Sequence, residues 1–324
     1  MTRTCTRRDF ARSLTLSGMA AVCVPGFLSL ARASAPRHRM KLSLSPGSIG
    51  VKAAPRELIA IAHKHGFDAV EPNAAFLAGL GDAEMADLLA EMKAKAVVFG
   101  AAGLPVDFRG DEAKFREGMD ALPRLANGLK RAGVNRVGTW ISPGHDELTY
   151  LENFRRHAQR LRAVAEVLKD HGQRLGLEYV GTPSARRNRR YPFLHSLREL
   201  RELLAEIGAG NVGCVLDSWH WWTAGETESD LLSLSAADVI SVDLNDAPAG
   251  ILLEQQQDGQ RELPCATGVI PVAAFLGALR RIGYDGPVRA EPFNKPLNEM
   301  DDDAACAAAI ASLQKAMALI RTGQ

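Results

Sequence analysis

Eight short apolar runs, each followed by a stretch with helical periodicity, constrain the fold of this chain more than any other feature. The intervening stretches place apolar residues at i, i+3 and i+4, and several end in glycine after a basic residue. Such alternation predicts strand–helix units with parallel strands. The predicted strands are residues 41–45, 67–72, 96–101, 136–141, 174–180, 212–217, 239–244 and 287–292.

Eight such units predict an α/β fold, a single (β/α)8 TIM barrel, over residues 36–324. An open, doubly wound sheet is the main alternative. It usually carries a glycine-rich phosphate-binding turn after its first strand, where this chain reads SPGSIG and lacks that fingerprint. No low-complexity linker interrupts residues 36–324, which favours one domain.

Residues 1–35 have the order of an export signal. An arginine-rich start with the pair Arg7–Arg8 precedes the uncharged stretch SLTLSGMAAVCVPGFLSLA and then small residues. The pair resembles a twin-arginine signal. This implies the twin-arginine export machinery as a transient partner, cleavage after Ala33 or Ala35, and a periplasmic protein exported already folded. A membrane anchor is the alternative, but the apolar stretch is short and contains proline and glycine.

The rest of the chain is close to electrical neutrality. The first 33 residues hold five arginines and one acid, so the remainder has net charge −3 against +1 for the whole chain. A body so near neutrality has no general attraction for nucleic acid or anionic membranes. We therefore expect no nucleic-acid partner and no membrane association after signal cleavage. A homodimer is left open.

Acidic residues stand at the ends of four consecutive predicted strands. They are Glu178, Asp217, Asp243 and Glu291. The C-terminal strand ends of a barrel meet at one rim, where four carboxylates would repel each other unless a cation lay among them. Carboxylate oxygens suit Mn²⁺ or Mg²⁺, with Co²⁺ or Zn²⁺ as alternatives. The competing interpretation is that some of these acids cap the helices that follow.

The motifs around these acids resemble a known family. LDSWHWW, VDLNDAP, RELPCATGVI and IGYDGPVRAEPF are similar to the sugar phosphate isomerase/epimerase family of xylose-isomerase-like barrels, over essentially the whole chain after the signal. The resemblance implies that Glu178, Asp217 and Glu291 bind a divalent metal ion. It also implies that Glu178 and Glu291 form the acid–base pair.

The same resemblance implies substrate contacts for His220 and Arg261. Asp243 departs from the family pattern, because many members carry a metal-binding histidine at that position. An aspartate remains a competent ligand and makes the site more anionic. We therefore expect Asp243 to be the fourth metal ligand.

Further residues are predicted to reach the substrate. Glu71 ends the second strand, and His145 follows the fourth. Trp219, or else Trp222, would place its indole against a sugar ring, because the flat apolar face of an indole packs well on the C–H face of a sugar. Lys295 would offset part of the negative charge.

Two glutamates beside a metal ion support proton transfer next to a carbonyl, through a cis-enediolate. We therefore predict a divalent-metal-dependent ketose isomerase or epimerase. One alternative is a lyase that acts on a keto-sugar or keto-glycoside through the same enolate chemistry. Another is an exported sugar-binding barrel without activity, although the presence of both Glu178 and Glu291 favours an enzyme.

Overall fold

The computed structural model describes residues 40–321, so the predicted signal segment lies outside the described residues. All eight predicted strands are found in this range. Nine strands form one sheet, and a two-stranded antiparallel ribbon, β6 with β8, lies apart from it. The strands are β1 Lys41–Leu44, β2 Ala69–Val70, β3 Val98–Phe99, β4 Ala102–Gly103, β5 Arg136–Trp140, β6 Gly144–His145, β7 Arg174–Glu178, β8 Tyr191–Pro192, β9 Val212–Asp217, β10 Val239–Leu244 and β11 Pro287–Ala290.

The large sheet closes on itself. Its order is β3-β2-β1-β11-β10-β9-β7-β5-β4, and every pairing is parallel. The two ends of this order, β3 and β4, are separated in sequence only by Gly100 and Ala101. They are therefore two halves of one interrupted strand position, and the sheet has the eight positions of a TIM barrel. The predicted fold is confirmed.

Helices cover the outside of the barrel, and local signals set their ends. Thr149 and Glu152 form a capping box at the start of the helix Tyr150–Asp170, and Asp111 caps the helix Glu112–Arg131. Gly66 and Gly208, in the left-handed conformation, end the helices Glu57–His65 and Leu197–Ile207. The helices are α1 Glu57–His65, α2 Ala74–Gly79, α3 Asp82–Ala94, α4 Glu112–Arg131, α5 Tyr150–Asp170, α6 Pro183–Arg187, α7 Leu197–Ile207, α8 Ser218–Thr223, α9 Glu228–Leu232, α10 Val272–Arg281, α11 Lys295–Asn298 and α12 Asp302–Arg321.

Helix α12 is, by length and composition, apolar enough to cross a membrane. In the barrel it packs against β1, β11, α1 and α10. Cys306, Leu313 and Ala316 on this helix are fully buried. It is therefore a core helix that closes the barrel where the first and last strands pair.

The barrel interior is filled below its C-terminal rim. Gly176 faces large side chains of β9 and β10, since a Cβ at this position would lie 2.7 Å from Cβ of Ile240 and 2.9 Å from Cγ2 of Val215. Small and branched residues thus interdigitate inside the barrel, as the close packing of a barrel core requires. This packed layer lies beneath the functional groups of the C-terminal rim.

Candidate active site

Four carboxylates converge at the C-terminal rim. Glu178 ends β7, Asp217 ends β9, Asp243 lies on β10, and Glu291 follows β11. Each contributes an oxygen, these oxygens lie within 4.8 Å of one another, and all four residues are buried. Asp217 and Asp243 are partners in the parallel register of β9 and β10, which brings their carboxylates side by side.

Arg289, on β11, binds two members of this carboxylate cluster. Its Nε and Nη2 donate to the two oxygens of Asp243, at 2.5 and 3.0 Å. Its Nη2 also donates to Oε1 of Glu291 at 3.1 Å. Asp243 is therefore part of the cluster and does not cap a helix. The sequence analysis missed Arg289, although two-residue alternation along a strand puts it on the same face as Glu291.

Asp217 both caps a helix and faces the cluster. Its Oδ1 accepts the backbone N–H of Trp219 at 2.6 Å and the side-chain amide of Asn245 at 2.8 Å. Its Oδ2 accepts from Nη1 of Arg261 at 2.8 Å. The helix-cap alternative is therefore correct for Oδ1 of Asp217, whereas Oδ2 binds Arg261.

Arg261 and His220 lie together beside the carboxylates. Nη1 of Arg261 is 3.3 Å from Oε2 of Glu291, and Nη2 is 3.0 Å from Oδ1 of Asp258 and 3.2 Å from Nε2 of His220. The same imidazole nitrogen lies 4.0 Å from Oε1 of Glu178. The structure therefore brings both residues to the place where the sequence analysis expected them.

The charges of the cluster fit a divalent cation. When all four carboxylates are ionised, they and the guanidinium groups of Arg261 and Arg289 leave two negative charges. Oε1 of Glu178 is buried and has no hydrogen-bond partner among the described residues. An oxygen of this kind is costly to bury, and a bond to a cation would offset the cost. The donor set consists of carboxylates, which suits Mn²⁺ or Mg²⁺ held by the four acids of the cluster.

Burial shifts the proton affinities of these groups. It raises the pKa of Glu178 well above the usual range, and the neighbouring Glu291 raises it further. Burial and then Asp243 raise the pKa of Glu291 to about 8. Burial lowers the pKa of His220 to about 4, so this imidazole is neutral at pH 7. Two carboxylates with raised pKa values are suited to take up and return protons near neutral pH.

Two other predicted contacts lie at the edges of the site. Glu71 contacts the cluster through Arg289, since Nη1 of Arg289 donates to Oε2 of Glu71 at 3.2 Å. His145 lies in a neighbouring cleft, where its Nδ1 accepts the backbone N–H groups of Glu147 and Leu148 at 3.0 and 2.9 Å. Their contact with substrate stays a prediction.

Two predicted contacts do not reach the carboxylates. Trp219 is fully buried, and its indole N–H donates to Oγ1 of Thr182 at 2.7 Å. Helix α8 begins one residue earlier and turns this ring into the core. The side chain of Lys295 is 87% exposed, and its ammonium lies 3.8 Å from Glu299. The second positive charge at the cluster comes from Arg289 instead.

A cavity of about 250 Å³ lies at the carboxylates. Glu178, Glu291 and Arg289 line it, and Arg109 and Trp140 form part of its wall. Trp140 is 46% exposed. The aromatic wall is therefore provided by the tryptophan that ends β5 and not by the tryptophans of α8.

Comparisons with known proteins agree with this geometry. A family model described as "Xylose isomerase-like TIM barrel" matches residues 59–317. An inosose isomerase from Bacillus velezensis is 24% identical over 265 residues, which are 78% of this chain and 89% of that protein. A solved xylose isomerase domain protein from Alicyclobacillus acidocaldarius has a TM-score of 0.77 and 32% identity, over 87% of this chain and 99% of that one.

A second solved structure is that of IOLI protein with a bound zinc atom. Its TM-score is 0.71 and its identity 20%, over 86% of this chain and 98% of that one. At this identity the likeness shows the fold.

Proposed function

Because the chain belongs to the family of xylose isomerase-like TIM barrels, we propose that it is a divalent-metal-dependent isomerase or epimerase of a polyhydroxylated ketone, either a ketose or an inosose. The observation that carries the proposal is the cluster of four buried carboxylates, in which Oε1 of Glu178 has no hydrogen-bond partner among the described residues. The inosose isomerase relative and the likeness to a zinc-bound barrel support it.

The two glutamates carry the proton transfer in this proposal. When bound, the metal ion acts as a Lewis acid towards the carbonyl oxygen of the substrate. Glu178 or Glu291 removes the proton next to the carbonyl, and the other returns a proton to the opposite face or to the neighbouring carbon. The first outcome is epimerisation and the second is isomerisation. Arg261 and the neutral His220 orient substrate oxygens beside the pair, since both lie within 4.0 Å of its carboxylates.

Deuterium incorporation tests this function. Ketoses and inososes are incubated with the protein and Mn²⁺ in D₂O, and the recovered sugars are analysed by mass spectrometry. One deuterium at the carbon next to the carbonyl, with formation of an isomer or epimer, is the expected result. Release of water or of an aglycone would identify the lyase alternative. Absence of exchange with every ketone in the panel would favour a binding barrel.

Metal binding is expected to release protons. The pKa of Glu291 is about 8 and that of Glu178 is well above its usual range, because both are buried among carboxylates. A cation binds their deprotonated forms, so its affinity should rise with pH by up to about tenfold per unit for each proton released, and the contribution of Glu291 should level off above about pH 8. Titration calorimetry at pH 7 in buffers of different ionisation enthalpy measures the proton count. Glu291→Gln should lower that count, and a heat independent of buffer would contradict the assignment.

We also propose export to the periplasm by the twin-arginine route. The support is the sequence of residues 1–35, which lie outside the described range. Replacing Arg7 and Arg8 with lysine should leave the uncleaved protein in the cytoplasmic fraction, whereas the wild type should appear cleaved in the periplasm. Immunoblots of the two fractions check this, and periplasmic recovery of the lysine variant would oppose it.

A further inference from the structure

A second cleft adjoins the carboxylate cavity. Its volume is about 650 Å³, within the range of ligand sites. Arg109 and Trp140 line both spaces and form the wall between them. We call the second space the outer cleft. The residues that define it here are Arg109, Trp140, His145, Asn153, Arg156 and His157.

Three side chains that line the outer cleft each have one buried polar atom without a partner among the described residues. Nδ2 of Asn153, Nε of Arg156 and Nε2 of His157 are buried and make no hydrogen bond within residues 40–321. Asn153 and His157 are only 1% and 2% exposed. Buried groups of this kind are uncommon in folded proteins, because each one costs free energy. Three of them along the first turns of α5 indicate that a ligand completes the cleft.

The donor and acceptor roles of these atoms can be assigned. Nδ1 of His157 lies 2.9 Å from the backbone oxygen of Asn153, so Nδ1 carries the proton and donates. Burial lowers the pKa of this imidazole to about 4, which keeps it neutral. Its Nε2 is therefore an acceptor, whereas the amide of Asn153 and Nε of Arg156 are donors. A hydroxyl group can both donate and accept, and so matches a mixed set of this kind.

The charge of the outer cleft also favours a neutral ligand. Three arginines and four acids line it. Two of the acids are already engaged: Asp146 pairs with Arg189 at 2.8 Å, and Asp111 caps α4. An anionic group would meet more carboxylates than guanidinium groups. A neutral polyol would meet donors, acceptors and the indole of Trp140, which is 46% exposed.

We propose that the outer cleft binds a second sugar unit, so that the preferred substrate is a glycoside of the ketone and not the free monosaccharide. The inference rests on the proposed function for the place of the reacting unit at Glu178 and Glu291. The attached unit extends past the wall of Arg109 and Trp140 and takes its hydroxyl contacts from Asn153, Arg156 and His157.

Binding measurements test the outer cleft separately from turnover. Titration calorimetry with Mn²⁺ present compares D-fructose with the disaccharides turanose, palatinose, lactulose and maltulose. At least one disaccharide should bind about tenfold more tightly than fructose or better, because the cleft adds desolvated contacts. Equal affinity of fructose and all four disaccharides would overturn the proposal. Deuterium exchange on fructose, measured independently, reports on the proposed function alone.

Variants locate the gain in affinity. Arg156→Met should abolish the preference for the disaccharide, as should Asn153→Leu, which removes the unpartnered amide without adding charge. Arg155→Met is the matched control, since Arg155 is the exposed neighbour on the same helix and should keep the full preference. Thermal unfolding verifies that each variant is folded. A preference that survives both Arg156→Met and Asn153→Leu would place the second unit elsewhere and refute the assignment.

Discussion

Replacing Glu291 with glutamine is expected to lower interconversion of the substrate epimers or isomers by about 10²–10⁴-fold, the usual contribution of a positioned acid–base group. The amide has nearly the size of the carboxylate but cannot take up a proton. Burial and Asp243 give Glu291 a pKa of about 8, and this proton affinity is what the variant removes. The measurement is the rate of product formation at saturating Mn²⁺, with metal content determined on the same sample.

A second buried glutamate provides the control. Glu226 also has its pKa raised by burial, to about 7, but its carboxylate accepts hydrogen bonds from Tyr179 and from the backbone of Leu197 and is not one of the four carboxylates of the cluster. Glu226→Gln should leave turnover unchanged. In the Glu291→Gln variant, residual deuterium exchange confined to one epimer would identify the face served by Glu178. Full interconversion by a metal-loaded Glu291→Gln variant would remove Glu291 from the acid–base pair.

The barrel could be predicted from the sequence because each strand is a short apolar run between amphipathic helices. The ends of Val212–Asp217 and Val239–Leu244 were predicted to the residue, since a polar or acidic group follows buried aliphatic ones at each end. The interruption of the third strand position between Phe99 and Ala102 was not predicted. It depends on how the closing ends of the sheet meet, and apolar periodicity carries no information about that.

The carboxylates of the site could also be predicted, because parallel strands in a barrel deliver their C-terminal ends to one rim. Alternation along β11 puts Arg289 on the same face as Glu291, but its role could not be identified from that alone. The partner of this basic residue, which lies between Val288 and Ala290, becomes apparent only when the register of β10 and β11 sets it opposite Asp243. Trp219 was misplaced for a related reason: the backbone turns into α8 immediately, and this rotation is a property of the turn and not of residue type.

The outer cleft lay beyond prediction because it is formed by segments distant in sequence. Arg109 comes from the loop before α4, Trp140 from the end of β5, and Asn153 from the first turn of α5. None of these positions forms a motif by itself. A site assembled from loop, strand end and helix emerges only when the three elements are packed together.

Removing Arg289 is expected to destabilise the metal-free protein strongly. Arg289→Met would leave Asp243, which is fully buried, without the guanidinium that now binds both of its oxygens. Breaking a buried ion pair by removing one partner typically costs about 3–5 kcal/mol of unfolding free energy, because the remaining charge is uncompensated. Urea denaturation at pH 7 measures the loss. Arg116→Met is the surface control, since its pair with Glu112 is exposed to solvent and should contribute little to stability.

A double variant and the pH dependence of stability distinguish the loss of a charge from the loss of packing. Arg289→Met combined with Asp243→Asn removes both charges and should recover most of the loss, whereas a purely steric role of Arg289 would leave the double variant equally unstable. Burial already raises the pKa of Asp243 despite Arg289, and the single variant must raise it further. A protein loses stability as pH rises when one of its acids has a higher pKa in the folded state than in the unfolded state. The deficit of Arg289→Met should therefore be small near pH 4 and grow towards pH 7, and a deficit independent of pH would show that Asp243 is not the group left uncompensated.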